Sequence, residues 1–143
     1  IERARKAKPD ARIDGVIVAE MVSGGVETVM GVVCDPVFGP AVMFGLGGVF
    51  VEVLKDVTFR LAPFGVDEAY RMIEEIQGRA MLDGVRGAPP SDIKALAEAL
   101  SKLSVFAAAN ADTIETIDVN PFIVLPDGAV AVDALIVPKE VSK

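Results

Sequence analysis

Apolar residues run almost unbroken from Ile13 to Val22, cluster again from Val26 to Cys34, and return in short blocks at Ala41–Phe44, Val49–Val53 and Val57–Leu61. Valine-rich blocks of this size, separated by glycine-bearing turns, predict strands. Ser23-Gly24-Gly25 is expected to fold the second block back antiparallel to the first, and the turn at Asp35–Pro40 to fold the third onto the second. Glycines at 45, 47 and 48 interrupt the pattern before the last two blocks. From Asp67 the period changes, because Ala69, Ile73 and Ile76 recur at helical spacing until Gly78 closes the segment. After Pro89-Pro90, Ser91 is the expected N-cap of a second helix, along which Ile93, Leu96, Leu100, Leu103 and Ala107 form one apolar stripe. Two final short strands, joined by a turn, are expected to lie beside the first ones. No internal repeat or low-complexity tract is present.

That last hairpin groups the side chains with the clearest chemistry. In Thr116-Ile117-Asp118-Val119-Asn120-Pro121 polar residues alternate with Ile117 and Val119, so Asp118 and Asn120 share one face of a strand. Pro121, lacking a backbone N–H, suits a strand end, and Asp127-Gly128 is a pair favoured in tight hairpin turns. The return strand, Ala129–Val137, carries Asp133 in an otherwise unbroken apolar run, where a carboxylate needs a partner or a cation to offset its desolvation. An amide oxygen with carboxylate oxygens is the hard ligand set that suits Mg2+, with nucleotide phosphates completing the octahedron. The alternative is that Asp118 caps a turn, Asn120 bonds backbone at the Asn-Pro turn and Asp133 meets a buried basic residue. The short D-x-N pattern leaves both readings open.

With 143 residues, of which 52% are hydrophobic, the chain can bury a sizeable core as one domain. Valine and alanine dominate and aromatics are few, the flavour of an α/β or α+β domain. A formal charge of −7 argues against a nucleic-acid surface, which needs a basic face, but not against a nucleotide whose phosphates a metal neutralises. Charged residues interrupt every long apolar stretch, so no membrane span is expected, and no secretory signal opens the chain. The single cysteine, Cys34, cannot form an internal disulfide, which fits a cytoplasmic address; at the end of an apolar strand it reads as an inert thiol rather than a nucleophile. Residues 1–12, with Arg3, Arg5, Lys6, Lys8 and Arg12, read as the tail of a helix and a linker, with a phosphate-binding patch as the alternative. The abrupt opening at Ile1 suggests a piece of a longer protein, with residues 13–143 as its domain.

Glu20-Met21-Val22 ends an apolar run at a glycine turn, where free backbone N–H and C=O groups can bond an adenine edge; facing solvent from an edge strand is the plainer reading. Gly45-Leu46-Gly47-Gly48 permits close backbone approach, yet it lacks the Gly-Lys-Ser/Thr ending of a P-loop, and a bulge or tight bend explains it as well. The charges at Asp67, Glu68, Glu74 and Glu75 read as the solvated side of a helix, and Asp56 to Arg60 as the exposed alternation of a strand.

Four stretches carry a resemblance. They are Val18-Ala19-Glu20-Met21-Val22 with Glu27, Asp35-Pro36-Val37-Phe38-Gly39-Pro40, Met43-Phe44-Gly45-Leu46-Gly47-Gly48-Val49-Phe50-Val51-Glu52, and Asp118-Val119-Asn120-Pro121 with Asp133. In this order, over nearly the whole chain, they resemble the ATP-grasp module of the ADP-forming acyl-CoA (acetate–CoA) synthetases, relatives of the succinyl-CoA synthetase beta subunit. The resemblance implies the C-terminal half of an ATP-grasp fold, an α+β subdomain with a largely antiparallel sheet backed by helices. It implies that Asn120 and Asp133 hold Mg2+, and that Glu20, Met21 and Val22 bind the adenine of ATP or ADP through backbone; Asp118, on the same face as Asn120, is then expected to support the metal through water or to steady Asn120. Glu27 would meet the ribose hydroxyls, and Gly47, Gly48 and Glu52 would lie where a partner domain's phosphohistidine arrives.

Histidine is absent from this sequence. The resemblance therefore places the phosphohistidine on a separate CoA-binding domain, and the other half of the nucleotide grip on an N-terminal ATP-grasp half, in the same or a partner chain. The implied activity is acid-thiol ligation, in which acid, CoA and ATP give acyl-CoA, ADP and phosphate, with this fragment inactive by itself. The alternative is a non-catalytic sensing or docking domain of an acetyltransferase-fused homologue.

Overall fold

Three apolar strands and an adjoining fourth make the centre of the molecule. In the computed structural model, which describes residues 1–48, 50–85 and 87–140 and omits the side chains of Phe50 and Glu52, the chain opens with a short helix, α1 (Glu2–Ala7). Strands β1 (Val26–Asp35) and β2 (Gly39–Leu46), a π-helical turn at Phe50–Leu54, and β3 (Val57–Leu61) follow. Then come α2 (Val66–Glu75), a 3-10 turn at Gln77–Asp83, α3 (Ile93–Ala109), β4 (Ile114–Val124), β5 (Ala129–Ala131) and β6 (Ala134–Pro138). Among the described residues six strands form one antiparallel sheet in the order β3-β2-β1-β4-β5, with β6 also pairing β4. This is the expected α+β architecture.

Alternation along the strands sends one set of side chains to the helices and the other to the open face. Met30 and Val32 of β1 and Val42, Phe44 and Leu46 of β2 pack against Met72 and Ile73 of α2 and Leu96 and Leu100 of α3. The α3 stripe is the expected one, but its cap is Asp92, whose Oδ1 accepts from Ala95 N at 2.9 Å, while Ser91 N donates to Leu82 O. Neither α2 nor α3 covers the opposite face of the sheet, where Val33, Phe59, Leu61 and Leu135 are exposed.

Several charges read as solvated instead hold elements together. Arg60 of β3 donates to Glu68 at 2.6 Å and to Glu75, which ties the edge strand to α2, and Asp56 is buried. The Asp56 carboxylate accepts from Gln77 N at 2.8 Å and Gly78 N at 2.7 Å, stopping the chain where α2 ends.

Two strand expectations fail. Ile13–Val22 lies outside the sheet, with Ile17 and Val18 97% and 93% exposed, because both edges of β1 are taken by β2 and β4. Where Val49–Val53 was expected to be extended, residues Phe50–Leu54 coil into the π-helical turn, and Lys55 at φ 51° turns the chain into β3; Val49 lies outside the described residues.

Among the described residues three carboxyls sit below their ordinary values: Asp35 through backbone N–H groups of Phe38 and Val37, Asp92 through those of Ala95 and Gly128, and Glu68 through Arg60 and Arg71. A depressed folded-state pKa contributes stability above the unfolded value and loses it as pH falls through the folded one. The ordinary values are 3.8 for aspartate and 4.5 for glutamate. Denaturation midpoints should therefore stay level from about pH 7 to about pH 5 and fall below about pH 4; an unchanged midpoint at pH 3 would contradict these bonds.

Candidate functional site

Strand β4 changes phase in its middle. Its core-facing residues are Ile117 and Val119 before the change and Phe122 and Val124 after it, so Asn120 and Pro121 intervene together. The pairing with β1 records the same event, because the register shifts between Thr28 opposite Phe122 and Met30 opposite Val119, setting two residues against Val29. This is a β-bulge, a device that re-aims a side chain. Thr28 is fully buried, and its hydroxyl donates to Phe122 O at 2.7 Å, fixing the strand just beyond the bulge.

The return strand breaks at the same level. β5 and β6 are separated by Val132 and Asp133, yet their register against β4 continues unchanged, from Phe122 opposite Ala131 to Val119 opposite Ala134. Asn120 therefore faces Asp133, with Asn120 N donating to Asp133 O at 3.2 Å and Val132 N to Pro121 O at 3.0 Å. Directly opposed residues of antiparallel strands have Cβ atoms about 5 Å apart on one face. Asp118, Asn120 and Asp133 are all exposed. The reading of Asp133 as a carboxylate buried in an unbroken strand is thus corrected: it stands in the break, open to solvent, with Oδ1 accepting from Ala134 N at 2.9 Å. Among the described residues no three carboxylate, thiol or imidazole groups converge on one point. The donor set available here is one amide oxygen and carboxylate oxygens, hard ligands that suit a small divalent cation also bound to a ligand's phosphates.

Toward the hairpin turn lies a cleft of about 320 Å³, lined by Glu20, Met21, Val22, Ser23, Leu125 and Val130. The linker reaches it through Gly24 and Gly25, both at positive φ. A Cβ on Gly25 would come within 2.7 Å of Val124 O and Ile123 Cγ2 and within 3.1 Å of Leu125 Cδ2, so only glycine allows this approach. Leu125 and Val130 escaped the sequence reading; the signal was an apolar residue on each flank of the Pro126-Asp127-Gly128 turn. Val130 is three residues from Asp133, about 10 Å along a strand, within the reach of a nucleotide's phosphate tail.

Glu27 begins β1 and is exposed, and its carbonyl accepts from Gly47 N at 2.8 Å. With Gly25, Val26, Leu46, Gly47 and Met81 it lines a second cleft of about 230 Å³. A Cβ on Gly47 would crowd the Glu27 backbone at 3.2 Å, whereas Gly48, at φ 59°, is exposed with open space around it. The glycine loop is thus joined to Glu27, and the side chain of Glu52 lies outside the described residues. Cys34 is half-buried at the far end of β1.

A largely antiparallel sheet backed by two helices on one face, with this strand order, is matched by solved ATP-grasp relatives. The ATP-grasp domain model matches residues 1–137, and the chain belongs to the ATP-grasp family. It is 49% identical over 140 residues to the acetate–CoA ligase [ADP-forming] II subunit beta of Pyrococcus furiosus, an alignment covering 96% of this chain and 59% of that protein. It is 44% identical over 128 residues to the 4-hydroxybutyrate–CoA ligase [ADP-forming] of Nitrosopumilus maritimus, covering 90% of this chain and 18% of that one. A solved structure of Ca. Korarchaeum cryptofilum dinucleotide forming acetyl-coenzyme A synthetase 1, in complex with coenzyme A, Ca-AMPCP and HgCl+, matches with TM-score 0.86 and 43% identity, over 96% of this chain and 60% of its own. Another, with coenzyme A and Mg-AMPPCP and its phosphohistidine segment pointing towards the nucleotide binding site, gives 0.78 and 44% over 82% and 55%. The expected kinship with ADP-forming acetate–CoA ligases is therefore borne out, and the chain spans only about three fifths of the P. furiosus subunit.

The glycine turn gives a graded test of this geometry. Gly24→Ala, with open space around its Cβ, should cost only the left-handed backbone penalty of roughly 1–2 kcal/mol. Gly25→Ala should cost clearly more, read as a lower urea midpoint; equal costs would show that the linker does not press on Leu125.

Proposed function

We propose that this chain is the nucleotide- and metal-binding part of an ADP-forming acyl-CoA synthetase. The whole reaction would join a carboxylic acid and CoA at the expense of ATP, releasing ADP and phosphate. The single observation that carries the reading is the opposition of Asn120 and Asp133 on the open face, next to the cleft formed by Glu20–Ser23, Leu125 and Val130. The relatives' names and the nucleotide analogues in the solved structures support it.

In this reading Asn120 Oδ1 and an Asp133 carboxylate oxygen are ligands of Mg2+, and Asp118, two residues along the same face, steadies them through water. Bound there, the cation would neutralise charge on the phosphates as the terminal phosphoryl group is transferred. The backbone of Glu20–Val22 holds the adenine edge while Leu125 and Val130 cover its face, and Glu27 accepts from ribose hydroxyls. The Gly47 amide is committed to Glu27 O, so the glycine loop and the ribose contact would move together. Phosphoryl transfer asks mainly for positioning and charge neutralisation, which is what these residues supply. Since this sequence has no histidine, a phosphohistidine step would use a residue of another domain, and an N-terminal ATP-grasp half would close the cleft.

Asp133 tests the assignment because, among the described residues, its side chain bonds only its neighbour's amide. In the full-length protein, Asp133→Ala should lower ATP-dependent acyl-CoA formation by at least about 100-fold, with the circular dichroism spectrum unchanged. Turnover within a few-fold of the unsubstituted protein would refute it.

A further inference from the structure

Asp92 does more than cap a helix. A cap needs one side-chain oxygen, and Oδ1 serves Ala95 N at 2.9 Å. Oδ2 accepts from Gly128 N at 2.9 Å, thirty-six residues away in sequence, and the Asp92 N–H donates to Leu125 O at 2.8 Å. Leu125 N in turn donates to Gly128 O at 3.0 Å. The turn between β4 and β5 is thus gripped at both ends by one residue, the N-cap of α3. Leu125 lines the cleft with Glu20–Ser23, and Gly25 of the linker lies close enough that a Cβ there would come within 3.1 Å of Leu125 Cδ2.

On the footing of the nucleotide reading above, we propose that Asp92 is a positioning residue for base binding, setting the height of the Leu125 wall without touching the nucleotide. The requirement is for aspartate specifically. Serine or asparagine can cap α3, but asparagine offers one acceptor oxygen and would turn an N–H2 donor toward Gly128 N–H, and serine has a single oxygen. The same two backbone amides hold the carboxyl below its ordinary value, as a carboxylate accepting through both oxygens should be. Pro126 and Asp127, at the tip of the turn, are exposed, so beyond the β4–β5 pairing the turn is tied to the helical side through Asp92.

The test is a double-mutant cycle read by calorimetric titration of the full-length protein with Mg-ATP. Asp92→Asn should weaken binding about fivefold or more, the scale of one lost charge-assisted hydrogen bond. Leu125→Ala should weaken it by a similar factor. The double variant should bind within about twofold of the weaker single one, because both changes remove the same wall. Should Asp92→Asn fail to fold, Asp92→Ser keeps the cap and takes its place in the cycle. Unchanged affinity in the Asp92 variant, or factors that multiply in the double variant, would overturn the role and leave the nucleotide reading standing. Absence of any Mg-ATP binding by the unsubstituted protein would instead remove that reading, and this role with it.

Discussion

The structure depends on one irregularity, the two-residue step at Asn120–Pro121. Before it, β4 sends Ile117 and Val119 into the core; after it, Phe122 and Val124. Without the step, a strand of fixed two-residue period would turn one of these pairs to solvent. The core on the helix side and the polar pair on the open side are thus consequences of the same bulge. Thr28, opposite Phe122, donates its buried hydroxyl to the Phe122 carbonyl and so ties β1 to β4 just beyond the step. The return strand accommodates it by breaking at Val132–Asp133, which is why a carboxylate can stand there without desolvation.

The acidic residues of this −7 chain divide by what they bond. Asp35, Asp56 and Asp92 each accept from two backbone N–H groups, closing a hairpin turn, a helix end and a loop respectively. Glu68 and Glu75 clamp Arg60. Asp118 and Asp133 stay exposed on the face that α2 and α3 do not cover, where their charge is available to something brought from outside. Three structural aspartates hold the frame, and the frame presents the others.

Local pattern made much of this legible. The valine-rich blocks of β1, β2 and β3, the stripe of α3 and the D-x-N face of β4 each follow from a period within a few residues. What was not legible depends on partners. An apolar run from Ile13 to Val22 looks like a strand, but whether it joins this sheet turns on which edges are free, and β1 has none. Asp56 and Glu68 looked solvated because their partners, Gln77, Gly78 and Arg60, lie 8 to 22 residues away. In the candidate site, the facing of Asn120 and Asp133 could be read from hairpin symmetry, whereas Leu125 and Val130 needed the folded linker beside them. Pro121 reads in the sequence as a strand end, whereas it lies inside β4 at the bulge, another place that tolerates a residue without an N–H; its effect on the phase of Phe122 and Val124 required the sheet.

The account is tested most directly by anomalous diffraction from crystals of the full-length protein grown with Mn2+ and a non-hydrolysable ATP analogue. It predicts a peak at coordination distance from both Asn120 Oδ1 and an Asp133 carboxylate oxygen, bridging to the analogue's phosphates. A bound nucleotide whose metal lies away from this pair would contradict it.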